Sequence, residues 1–99
     1  MGATNLHSGS YMLLLPHSFR EIDILEAINV MPNNQMALHT TPGCTHPSTA
    51  SELGVAGMGD CSTAAGCTVM ESSPNSFESG FALMGGGVWA CQFDVAGIL

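Results

Sequence analysis

Lysine is absent from this 99-residue chain, and Arg20 is its one strongly basic side chain against eight acids, for a net charge of −7. Nucleic-acid binding depends on Lys and Arg displacing counterions from phosphates, so that class of function is excluded. Docking on an anionic membrane surface is excluded by the same argument, whereas an uncharged partner such as a polysaccharide meets no electrostatic obstacle. Long apolar runs are missing too. Residues 12–15 form a run of only four with no basic stretch before it, well short of a secretory leader and further still from a membrane span. Aromatic side chains are also scarce, limited to Tyr11, Phe19, Phe77, Phe81, Trp89 and Phe93.

What is present suits one small folded unit. Apolar residues make up 45% of the chain, enough for a modest core and too many for a disordered tail. Twelve glycines and five prolines with few charges predict short strands joined by turns, and therefore an all-β fold. The cysteines are Cys44, Cys61, Cys67 and Cys91. Four thiols in so small a chain suggest an oxidising compartment and at least one disulfide. The competing zinc reading lacks the tight C-x2-C or H-x3-H spacing of structural sites, since His39, Cys44 and His46 are not so spaced. No metal and no cofactor are therefore expected. The oligomeric state is not legible.

Along the chain, residues 1–19 are poorly patterned and read as a loop or a weak strand. Residues 20–30 (REIDILEAINV) carry the first strong pattern, and residues 35–41 read as a short strand closed by Pro42-Gly43. Residues 42–66, dense in Gly, Ser, Thr and Pro, read as a long loop pinned covalently. A short strand is predicted at 67–71 and a turn region at 72–80. After Gly85-Gly86-Gly87, residues 88–99 alternate well enough for a strand. The triple glycine is no phosphate loop, because no Lys followed by Ser or Thr comes after it. Any disulfide is expected to join members of Cys44, Cys61 and Cys67, which border one loop. Cys91, on a strand predicted to be paired, should remain reduced.

Residues 20–30 hold the candidate chemistry. As a strand, they place Glu21 and Asp23 on one face and Ile22 and Ile24 on the other. Strict alternation sends Glu26 to the apolar face, but a β-bulge near Leu25 returns it to the side of Glu21 and Asp23, leaving Ile22, Ile24 and Leu25 for the core. Three like charges on one face repel, an odd choice for stability alone. Retaining glycoside hydrolysis wants this arrangement: one carboxylate attacks the anomeric carbon and a protonated one about 5–5.5 Å away gives its proton to the leaving oxygen. A third acid between them would orient the nucleophile and raise the proton affinity of its neighbours. The same residues can also be drawn as a helix, with Ser18 and Glu21 as a capping box and Ile22, Leu25 and Ile28 on one face. Ile24 then falls off that face, and the β-branched residues disfavour it. Pattern alone leaves both open.

EIDILEAIN, followed by NNQMALHTTPGC, resembles the fungal laminarinases of glycoside hydrolase family 16, whose signature is G-E-I-D-I-x-E on a bulged strand, then N-Q-x-x-L-H-T and a Gly-Cys. The likeness continues through Gly66-Cys67, Asn75-Ser76-Phe77 and Gly85-Gly86-Gly87-Val88-Trp89-Ala90, covering roughly residues 20–99 as a partial catalytic domain. The resemblance implies a β-jelly-roll (concanavalin-like) sandwich, endo-hydrolysis of β-1,3 or mixed β-1,3-1,4 glucans, and an extracellular location. It assigns Glu21 as nucleophile, Asp23 as assisting acid and Glu26 as acid/base. His39, which by itself reads as a core histidine, matches the family's strand histidine near these acids and becomes a candidate substrate-binding residue.

The departures are specific. Arg20 replaces the family's glycine before the first catalytic Glu, where it could pair with Glu21 and blunt it. Cys91-Gln92-Phe93 replaces Met-Glu-Trp. Trp89 reads as core rather than sugar platform. Residues 1–19 do not resemble the family's opening strands, and the platform of stacking rings expected in a sugar cleft is mostly missing. Two alternatives to an active glucanase follow: an inactive fragment with weak glucan binding, or a small disulfide-bonded secreted domain with no sugar role.

Overall fold

The computed structural model describes residues 19–47, 52–94, 97 and 98, so most of the N-terminal segment read as a loop lies outside it. Seven elements follow in order: β1 (Phe19–Glu26), β2 (Gln35–Thr40), β3 (Val55–Ala56), β4 (Cys67–Met70), α1 (Glu78–Leu83), β5 (Phe93–Asp94) and β6 (Gly97–Ile98). The first four strands make one antiparallel sheet in the order β1-β2-β4-β3, and β5 pairs with β6 in a separate two-stranded ribbon. The architecture is all-β with one short helix, as expected, and is consistent with part of a jelly-roll sandwich.

Residues 19–26 are strand and not helix. The alternating carboxylates and β-branched residues decide for the pleat once β2 supplies a partner. The core lies on one face of β2 and β4: Met36, Leu38, Cys67 and Val69, joined by Cys44 and Cys61 from the connecting loop. Leu38 sits opposite Cys67, and Met36 opposite Val69, so these four share a face by register. The loop predicted at 42–66 is more ordered than the sequence suggests. It contains β3 and a bridge between Thr45 and Asp60, and Thr40 N donates to Cys61 O at 2.9 Å.

Three expectations need correcting. Ile22, Ile24 and Leu25 are not core: they are 37%, 39% and 53% exposed. β1 is an edge strand, and no layer of the described residues covers its apolar side. The turn region at 72–80 gives way at Glu78 to α1, which Gly85 and Gly86 then end. Both glycines hold left-handed φ (89° and 80°), and their amides donate back to Ala82 O and Phe81 O. The strand predicted over 88–99 is instead a short ribbon that folds back on itself, with Phe93 opposite Ile98 and Asp94 opposite Gly97.

The covalent expectation holds: Cys61 and Cys67 form a disulfide six residues apart, while Cys44 (buried) and Cys91 (exposed) are free thiols. The reason offered for Cys91 does not hold, because it lies before β5 and in no strand. Trp89 is half-buried.

Candidate active site

The pairing of β1 with β2 fixes the site. Glu21 lies opposite His39, Asp23 opposite Ala37 and Glu26 opposite Gln35. Between Asp23 and Glu26 the first strand advances three residues while its partner advances two, so β1 carries one extra residue there. Residues paired across an antiparallel ladder share a face, and so do alternate residues of one strand. Glu21, Asp23 and Glu26 therefore stand on the same side of the sheet as Gln35, Ala37 and His39, opposite the core. A second irregularity between Phe19 and Glu21 adds another extra residue at Arg20.

Asn34 holds the first bulge in place. It is fully buried, its Oδ1 accepts from Glu26 N at 2.9 Å, and its Nδ2 donates to Ile24 O at 2.7 Å. Its own carbonyl accepts from Glu71 N at 2.9 Å, tying the bulge to the segment after β4. A bulge leaves backbone groups without ladder partners, and one amide side chain here supplies both a donor and an acceptor. Sequence reasoning missed Asn34. The signal was available in the Pro32-Asn33-Asn34 turn immediately before β2.

His39 Nε2 lies 3.2 Å from Asp23 Oδ2, with both side chains about one-fifth exposed. The imidazole rests against Gly66, where an added Cβ would come within 3.0 Å of its Cε1 and Nδ1 and 2.7 Å of Leu38 O. Gly66 also holds a left-handed φ of 67°, so the position suits glycine on two counts. Its backbone thereby steers Nε2 toward the carboxylates. Glu21 and Glu26 are exposed. Arg20 is exposed and makes no ion pair with Glu21 among the described residues, so the blunting pair expected from sequence is not formed.

Beside Glu21 lies an open depression of about 280 Å³. Arg20, Glu21, His39 and Thr40 line it from the strands, and Ser62 and Thr63 line it from the disulfide-closed loop. Asp60 shapes that loop by accepting from Ser62 N at 2.9 Å and Ser62 Oγ at 2.7 Å, and these bonds hold its carboxyl below the ordinary value of 3.8. Among the described residues, the depression therefore offers hydroxyls, charged groups and the His39 imidazole on its walls, and no Phe, Tyr or Trp ring. Away from the site, His46 Nε2 lies 2.8 Å from Glu52 Oε2, with both side chains largely shielded from solvent. Both residues lie in the loop between β2 and β3, another feature that sequence reasoning did not find.

Comparison with known proteins points to one family. The family model described as XgeA-like, catalytic GH16 domain matches residues 17–99. A probable glycosidase of Schizosaccharomyces pombe is 36% identical over an alignment of 85 positions, covering 79% of this chain and 20% of that protein. A probable endo-1,3(4)-beta-glucanase of Aspergillus clavatus is 32% identical over 80 positions, covering 79% of this chain and 12% of that protein. The chain thus spans a fifth or less of the curated relatives it matches. No solved structure matches it. Among the described residues, no helix is long and apolar enough to cross a membrane. With its bulged carboxylate strand and a family match running from residue 17 to the last residue, the chain belongs to glycoside hydrolase family 16, among the XgeA-like catalytic domains.

Proposed function

We propose that this chain carries the catalytic strand of an extracellular, retaining β-glucanase acting on β-1,3 or mixed β-1,3-1,4 glucans. The observation that carries the reading is the bulge between Asp23 and Glu26, which places three carboxylates on one face where strict alternation would have split them. In the first half-reaction Glu21 attacks the anomeric carbon while Glu26 gives its proton to the departing sugar oxygen. In the second, Glu26 takes a proton from water as that water releases the glycosyl group from Glu21. Asp23, between them and 3.2 Å from His39, orients the nucleophile, and His39 holds Asp23 and faces the sugar. No metal or cofactor enters these steps.

A second reading, an inactive piece with weak glucan binding, is favoured by the exposure of Glu21 and Glu26 and by the small share of the relatives that the chain spans. A general acid is normally shielded from water, and remote sugar units supply binding energy that a short piece cannot collect. An activated 2-deoxy-2-fluoro β-glucoside separates the roles from the question of turnover. Mass spectrometry should find the glycosyl group on Glu21 in the parent and nowhere in Glu21→Gln. Labelling at another carboxylate would overturn the assignment of the nucleophile, and no labelling after prolonged incubation would select the inactive piece.

A further inference from the structure

We infer that Glu21, Asp23 and His39 form a binding site for a borderline-soft divalent cation, with zinc as the type ion. One donor atom from each residue can be chosen so that all lie within 4.8 Å of one another. Two of them, His39 Nε2 and Asp23 Oδ2, are already 3.2 Å apart. Donors about 2.0–2.2 Å from a tetrahedral zinc are separated by roughly 3.3–3.5 Å. The His39 and Asp23 donors are therefore already at about the separation that zinc needs, and the exposed Glu21 carboxylate has to swing inward.

The imidazole gives the site its chemical preference. A set of acids alone would suit calcium or magnesium, but two carboxylates with one imidazole select zinc, copper, nickel or cobalt. Two features of the fold hold the donors ready before any ion arrives. The register of β1 on β2 places Glu21 directly across from His39, with Asp23 two residues along on the same face. Gly66 lies against the Cε1 and Nδ1 side of the ring, leaving Nε2 turned toward the acids. The chain's net charge of −7 draws cations to its surface, and water fills the remaining coordination positions at this open site. An ion seated there takes the lone pairs that Glu21 would need to attack a sugar, so it acts as an inhibitor and not as a cofactor. The inhibition rests on the hydrolase reading, whereas the binding itself needs no substrate.

Zinc chloride titrated into the full chain, in a Cys91→Ser background that removes the exposed thiol, tests the site by calorimetry and by the imidazole nitrogen resonances. The expected result is one saturable ion that shifts the His39 resonances, identified by their loss in His39→Gln. Affinity should fall by about tenfold or more in Glu21→Gln and in His39→Gln, and stay unchanged in Glu78→Gln, a remote exposed acid. Glu21 is exposed, so its variant keeps the test decisive even if His39→Gln loosens the sheet. Absence of saturable zinc binding, unmoved His39 resonances, or undiminished affinity in Glu21→Gln would each overturn the proposal.

Discussion

Asn34 shows how one residue can decide where a carboxylate points. With its amide removed, Glu26 N and Ile24 O both lose their partner at the bulge, and the fully buried position keeps a void. Asn34→Ala is expected to cost about 2 kcal/mol in urea unfolding. Amide exchange at Glu26 should accelerate more than at His39, because the damage is local to the bulge. Asp60 gives a pH-dependent prediction at the same scale. Its carboxyl is held below 3.8 by the two Ser62 bonds, so the turn is fully supported above that value and is lost as pH falls through the lowered one. The Ser62 amide shift should titrate with a midpoint below 3.8, and a midpoint at or above it would contradict the bonding described.

At the scale of elements, the loop from Asp60 to Cys67 is both a wall of the depression and a covalent ring. Closing a ring of this size contributes roughly 2 kcal/mol in the chain-entropy model, so reduction should lower stability by about that much. Brief treatment of the native, unreduced protein with iodoacetamide should modify Cys91, which is exposed, and leave Cys44 intact until the chain unfolds. Modification of Cys44 at the same rate would mean that the core between the loop and β2 is open. β1 is the element most at odds with its surroundings. Its polar face carries the acids, while Ile22 and Ile24 on the edge strand remain more than one-third exposed.

For the whole molecule, the decisive quantity is how much of a cleft these strands can build. The depression beside Glu21 is open and has no Phe, Tyr or Trp wall among the described residues, and the two acids that would do the chemistry are exposed. The expected outcome is therefore little or no reducing sugar from laminarin or lichenan with this chain alone. Reducing sugar released by the parent and abolished in Glu21→Gln would show that the strand suffices without further walls. That variant should unfold within about 0.5 kcal/mol of the parent, because an exposed Glu to Gln change removes no packing.

The sequence by itself determined the all-β class, where the three carboxylates lie, that a strand there would need a bulge to bring them to one face, and which cysteines could pair. Each follows from local facts: side-chain alternation, turn residues and separation along the chain. It could not choose between strand and helix for residues 19–30 from pattern alone, because a capping box and a partly apolar helical face competed there with strand alternation. Pairing with β2 decided that, since a ladder partner lies outside any local window. Tertiary structure also decided that Asn34 holds the bulge, that Gly66 turns His39 toward Asp23, and that Arg20 makes no ion pair with Glu21 among the described residues. It left Ile22 and Ile24 exposed where the pattern predicted core. Alternation says which residues share a face, but only a second layer of chain decides whether that face is buried.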